Sequence, residues 1–181
     1  MDAFEDIIAG LFRQQGYWTR LSYKVDLSKE EKVAIDKPSS PRPEIDILAY
    51  KPTVNELLWI ECKSYLDSYG VRFESFNGQE AKGADRYKVF TRDFYREVVT
   101  RRLVEQLMQE SLVLDGVTVK YGLVAGRVYP KSRVALKQHF DERGWLLFDD
   151  TWIKDKLRDL AKLGYENDVA IIVAKLFERT S

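Results

Sequence analysis

Three ionisable residues in two short apolar runs could carry chemistry in this chain. Asp46 lies in Ile45-Asp46-Ile47-Leu48-Ala49-Tyr50, and Glu61 and Lys63 lie in Trp59-Ile60-Glu61-Cys62-Lys63. Alternate side chains of a strand share a face. Glu61 and Lys63 therefore point together, while Ile60 and Cys62 turn the other way, toward a core. If the two runs close as a hairpin with Tyr50 opposite Leu57, Asp46 stands opposite Glu61. Carboxylates facing each other across a strand pair repel; a cation between them reverses the sign, and Lys63 adds a positive neighbour. Hard oxygen donors with no histidine nearby and no second cysteine suit Mg²⁺, or Mn²⁺ in its place, rather than zinc. Asp46, Glu61 and the carbonyl of Cys62 would hold the ion. Lys63 would orient or help deprotonate a water and balance charge growing on a phosphate. That set suffices for phosphodiester hydrolysis.

These residues need elements to position them. Apolar residues recur at helical spacing from Asp2 to Gln15, before Gly16. Tyr17 to Val25 alternates as a strand, with Tyr17, Thr19, Leu21, Tyr23 and Val25 on one face. Ser28 and Glu31 form a capping-box pattern for a short helix to about Ile35. Pro38, Ser39, Ser40, Pro41 and Pro43 mark an irregular connection into the hairpin at about 44–63. Ser64 to Gly83 lacks a clean period and reads as a loop or lid. Thr91 to Leu112 reads as a helix with Phe94, Val98, Leu103, Leu107 and Met108 as core positions. Val117–Val128 and Trp145–Phe148 read as strands around a helix from Ser132 to Arg143. Asp150 or Thr151 can cap a helix to Leu163, and Asn167 or Asp168 the last helix, Val169 to about Arg179, read as buried as far as Phe177. One mixed α/β domain spanning 1–181 accounts for this order.

The pattern resembles the PD-(D/E)xK nuclease superfamily, which holds restriction endonucleases, Holliday-junction resolvases and repair nucleases, a Holliday-junction-resolvase or Mrr-like branch being one option among them. Asp46 matches the family's first acid, although Pro43 stands three residues before it. Glu61-Cys62-Lys63 matches the acid-any-lysine half at the end of an apolar strand. Glu5 matches an acid common on the family's first helix. The resemblance covers roughly the first third of the chain. It implies a restriction-endonuclease-like fold, a central mixed sheet flanked by helices, and a Mg²⁺-dependent endonuclease cutting DNA to a 5′-phosphate and a 3′-hydroxyl. Under it Glu5 joins Asp46 and Glu61 as a metal-binding acid. Gln106 sits where some members carry a glutamine, but Glu110 takes the place of the tyrosine four residues on.

Plainer readings stand beside these. Asp46, Glu61 and Lys63 could be an ion cluster on a sheet edge, Glu5 a first-turn acid favoured by the helix dipole, and Glu44 a solvated loop-end acid or a supporting ligand. Lys82, Arg86, Lys88, Arg92, Arg96, Arg101 and Arg102, interleaved with Tyr87, Phe90, Phe94 and Tyr95, could be a DNA-backbone surface or an ordinary solvated helix face. His139 reads as exposed, Cys62 as a packed thiol rather than a nucleophile, and the four tryptophans as core or interface residues. Twenty-nine basic residues balance 29 acidic ones, which argues against a protein that simply coats DNA. With one cysteine no intramolecular disulfide or cysteine zinc cage can form. No apolar stretch approaches the roughly 18 residues of a membrane span, the N-terminus lacks a basic signal-like region, and no glycine-rich phosphate loop appears. The expectation is a soluble cytoplasmic protein with DNA as partner and a possible homodimer. The alternative is a catalytically silent nuclease-fold module that binds DNA or a protein.

Overall fold

The runs on either side of Pro52 and Asn55 form the middle of a sheet in the computed structural model, which describes residues 2–36, 41–79, 81–164 and 166–180. Pro38, Ser39 and Ser40 lie outside the described residues, as do the side chains of Ala81 and Lys82. Strand β1 is Trp18–Lys24, β2 Glu44–Lys51, β3 Glu56–Lys63, β4 Thr118–Ala125 and β5 Leu146–Phe148. They lie in sequence order, with β1, β2 and β3 antiparallel and β3, β4 and β5 parallel. The tight turn after Lys51 lets β2 and β3 pair directly. The long segments after β3 and β4 allow the parallel return that a short turn cannot make.

Helices cover both faces. On one side α1 (Ala3–Arg13), α7 (Asp150–Ala161) and α8 (Val169–Thr180) pack Ile8, Leu11, Phe12, Leu160 and Ile171 against Ile47, Leu58 and Ile60. On the other, α4 (Lys88–Thr91), α5 (Asp93–Gln109) and α6 (Arg133–Glu142) pack Phe90, Leu103, Leu107 and Phe140 against Leu48, Leu57 and Trp59. Two short helices, α2 (Lys29–Ala34) and α3 (Ala81–Ala84), complete the chain. The expected capping box of α2 forms, with the Glu31 N–H donating to Ser28 and the Ser28 N–H to Glu31. Because β2, β3 and the second half of β4 are covered on both sides, their residues read as continuous apolar runs, whereas Thr118 to Tyr121 at the start of β4 still alternates.

Several expectations are corrected. The helix expected over Thr91–Leu112 is α5, which starts at Asp93 and ends at Gln109; Thr91 instead ends the separate α4, and Arg92 between them has an extended backbone (φ −130°, ψ 94°). The Thr91 hydroxyl donates to the Ala84 and Tyr87 carbonyls, locking the end of α4. Val98, Leu103 and Leu107 are core, but Phe94 lies exposed beside α2 and Met108 is exposed. In the last helix Ala170, Ile171 and Ala174 are buried while Val169, Leu176 and Phe177 are exposed, so it is one-sided. The cap of α7 is Asp149, accepting from the Trp152 N–H at 3.0 Å, not Asp150 or Thr151. Asp168 does cap α8, accepting from the Ala170 N–H at 2.8 Å. His139 is buried against Phe73, Phe76 and Trp145, and burial lowers its pKa. Trp59 and Trp145 are core, whereas Trp18 is exposed.

The single-face reading of the first strand also fails. Leu21 packs with the α1 side, but Tyr23 and Val25 pack with the α5 side. Between them Ser22 adopts a left-handed conformation, φ 51°. The partner strand does the same: Ile45 packs with the α5 side and Ile47 with the α1 side. The β1–β2 ladder holds at Leu21/Ile47 and at Tyr23/Ile45 but skips the position between, Ser22 and Asp46. A residue in the wrong conformational region re-aims a strand as a bulge does. Here the strand rolls at Asp46.

Candidate active site

Register and roll together set the site. Tyr50 stands opposite Leu57 as expected, and the β2–β3 ladder runs from Lys51/Glu56 to Ile47/Ile60. Beyond that point the Asp46 side chain stands in for a backbone partner: its Oδ2 accepts from the Cys62 N–H at 2.7 Å. On the far side β4 pairs Leu123, Val124 and Ala125 with Glu61, Cys62 and Lys63. The Gly126 N–H donates to the Lys63 carbonyl at 2.8 Å. A Cβ on Gly126 would stand 2.2 Å from the Ser64 carbonyl oxygen, so the two strand ends approach as closely as they do only with glycine there. The site thus occupies the carboxyl ends of adjacent parallel strands, where open α/β sheets characteristically bind ligands.

Glu61 and Lys63 share a face, as their spacing requires. The Lys63 Nζ lies 2.5 Å from Glu61 Oε1, and both side chains are about four-fifths buried, at 18% and 21% exposed. Burial drives the Glu61 carboxyl above the ordinary range; Lys63 opposes that rise and the charge of Asp46 adds to it. Burial would lower Lys63, but the Glu61 carboxylate in contact with it holds its ammonium on. Asp46 is raised by burial, against the Cys62 hydrogen bond and Lys63, with Glu44 adding repulsion. Cys62 points to the α1 side, buried at 8% exposure, and burial followed by the surrounding carboxylates pushes its thiol up. It is a packed thiol, not a poised nucleophile.

Glu5 joins this group from α1. Its pKa is pushed up to about 7 by burial and by the charges of Asp46, Asp2 and Glu44. Its carboxylate has no hydrogen-bond or ion-pair partner among the described residues. Asp46, Glu61 and Glu5 therefore stand in one electrostatic neighbourhood, each with its proton held more tightly than usual, and their hard oxygens fit Mg²⁺ or Mn²⁺. As they stand, no three His, Cys, Asp or Glu side chains among the described residues converge closely enough to hold a metal ion. Glu61 would have to turn from Lys63 to become a ligand. Glu44 is solvated at the edge, 3.7 Å from Lys24.

The basic segment is largely committed to other partners. Arg92 pairs with Asp85 at 2.5 Å, Arg101 with Glu31 at 2.8 Å, and Arg102 with Glu31 and Glu105. Arg96 binds Asp93 and the Val89 carbonyl and lies over the Tyr121 and Trp145 rings, in the packing rather than on a binding face. Lys88 sits close enough to Glu61 to stabilise its charge, and Arg86 donates to the Tyr65 hydroxyl at 3.5 Å. Gln106 bridges the Lys24 carbonyl and the Asp26 N–H, tying α5 to the end of β1. Sequence reading missed Tyr65, whose hydroxyl lies 3.4 Å from that of Tyr87. Its position two residues past Lys63 was the available signal.

The chain is an α/β protein with a five-stranded mixed sheet flanked by helices. No family model, curated protein or solved structure matches it. No helix among the described residues is long and apolar enough to cross a membrane.

Proposed function

We propose that the chain is a restriction-endonuclease-like protein that hydrolyses DNA phosphodiester bonds with Mg²⁺, Mn²⁺ serving in its place. The observation that carries the reading is the meeting of Asp46, Glu61 and Lys63 at one strand end, buried, with Glu5 beside them. Burying two carboxylates and an ammonium costs free energy that apolar residues of similar size would not. A structural sheet edge gains nothing from them. The order of helix, strand, hairpin and parallel return supports the same fold.

Asp46, Glu61 and Glu5, with the Cys62 carbonyl, would hold the ion. When bound, it supplies an electrophile for the phosphate and lowers the pKa of a water. Asp46 is oriented by the Cys62 N–H, and Lys63 is kept charged by Glu61 until the substrate arrives. The ammonium then faces the phosphate and stabilises the charge that grows on it. The water oxygen bonds to phosphorus, the bond to the 3′ oxygen breaks, and a proton ends on that oxygen. The products are a 5′-phosphate and a 3′-hydroxyl.

A second reading, a catalytically silent module that binds DNA or a protein, has one observation in its favour: Lys63 already neutralises Glu61. The test is cleavage of plasmid, linear, single-stranded and branched DNA with Mg²⁺, Mn²⁺ or EDTA, comparing wild type with Asp46→Ala and Lys63→Ala. Metal-dependent cutting lost by roughly a hundredfold or more in both folded variants is expected. Wild type that cuts nothing, with variants that fold more stably, would leave the silent module.

A further inference from the structure

The loop beyond the hairpin builds a cleft of its own. After Lys63 the chain turns through Tyr65, Ser68 and Tyr69 and is pinned beyond the end of β4. The Val71 N–H donates to the Arg127 carbonyl, and the Tyr129 N–H to the Val71 carbonyl, both at 2.9 Å. Gly70 makes this closure possible: its φ is +91°, and a Cβ there would lie 2.6 Å from the Arg127 carbonyl oxygen. The open-sided cleft is about 360 Å³, walled by Tyr65, Tyr69, Arg72, Arg86 and Tyr87. It adjoins the candidate site, because Tyr65 and Tyr87 are both within electrostatic reach of the Glu61–Lys63 pair.

The chemistry of the walls is specific. Tyr69 is 72% exposed on a pinned loop, an aromatic face held open to solvent. The Arg72 guanidinium lies over the Tyr69 and Tyr129 rings, 5.6 and 5.0 Å from their centroids, with no carboxylate in ion-pair reach among the described residues. Its N–H donors remain for an anion. Aromatic faces beside an arginine are the means by which proteins hold unpaired nucleotides, through base stacking and backbone charge. The volume lies near the small end of the roughly 300–1,000 Å³ typical of ligand pockets, suited to one nucleotide and closed to two paired strands. A base can enter from a duplex only by leaving its stack, at a cost that is least where it is already unpaired.

We propose that this cleft receives one unpaired nucleotide beside the scissile phosphate, with its base stacked on Tyr69 and its phosphate held by Arg72, so that the site acts on single-stranded or frayed DNA in preference to intact duplex. The proposal rests on the nuclease reading for the scissile bond, but the binding it describes does not need cutting.

The experiment is fluorescence anisotropy in EDTA with a labelled oligothymidylate and a blunt duplex of the same length. Wild type, Tyr69→Ala, Tyr69→Phe and Arg72→Ala are compared, with circular dichroism to check folding. Single strand bound at least about tenfold tighter than duplex is expected. Tyr69→Ala should lose about 5- to 100-fold of that affinity, the range of one base–aromatic stack, while Tyr69→Phe keeps it. That result with no cleavage under Mg²⁺ or Mn²⁺ would keep the cleft and overturn the nuclease reading. Equal binding of both DNAs, or variants that bind like wild type, would overturn the cleft while cutting in parallel assays kept the nuclease. Free thymidine monophosphate bound as tightly as the oligonucleotide would overturn the strand assignment, because the pocket would then serve a small molecule.

Discussion

Glu5 shows how much of the site's energetics rests on single carboxyls. With its pKa near 7 in the folded protein against an ordinary value of 4.5, the folded state binds this proton more tightly than the unfolded chain. Stability from this group is therefore fully present below about pH 4.5 and is lost as pH rises through about 7. Glu5→Gln removes the penalty. Relative to wild type its Tm should rise between pH 4.5 and pH 8, by roughly 2–4 °C once solvent screening has reduced the effect to about 1 kcal/mol or less. Thermal melts of both proteins across that range check the sign. A difference that does not grow with pH would remove Glu5 from the carboxylate group. Adding Mg²⁺ should then raise wild type more than the variant, because a cation relieves the repulsion that the variant lacks.

At the scale of elements, the site depends on a defect in regular structure. Ser22, at φ 51°, rolls β1 and β2 together where Asp46 leaves the ladder, and the acid is thereby free to accept from Cys62. Ser22→Gly should retain stability, since glycine adopts that conformation without strain. Ser22→Val should cost about 1–3 kcal/mol and reduce cleavage further by moving Asp46. Urea melts of the two variants read the first effect. A valine variant as stable as wild type would mean that the roll is not set by this residue. The Glu61 and Lys63 pair was visible in the sequence because strand periodicity puts both side chains on one face of β3, and Asp46 was visible as an acid in the neighbouring apolar run. The roll was not. Leu21 and Tyr23 have the spacing of one face, and no residue type marks a serine as left-handed. The cleft was equally hidden, since Tyr65 to Val71 has no period and is shaped by hydrogen bonds to Arg127 and Tyr129, more than 50 residues away. His139 was misread for a similar reason: its helix is polar by sequence, and only the fold brings Phe73 and Trp145 around it.

For the whole molecule, charge is balanced in space as well as in number. Arg92, Arg96, Arg101 and Arg102 are held by Asp85, Asp93, Glu31 and Glu105, while Arg72, Arg86 and Lys88 lie near the site, where a strand bound by the proposed nuclease would meet them. Few phosphate contacts mean few released counterions. The logarithm of the DNA affinity should fall against the logarithm of salt concentration with a slope of about −2 to −4, at roughly −0.9 per contact on duplex and less on single strands. Titrations at several salt concentrations measure it. A slope much steeper than this would mean that the arginine pairs of α5 open to meet DNA.

The placement of Cys62 has a consequence for watching this molecule work. It is the only thiol in the chain, and it lies between Glu61 and Lys63 with its sulfur turned into the core. A thiol reagent can reach it only in the fraction of time that the end of β3 parts from its neighbours, and its elevated pKa slows the reaction further. The rate of single-site labelling is then a clock for local opening. Whatever tightens that strand end lengthens the interval between ticks, with no label added by design and no second cysteine to confuse the count.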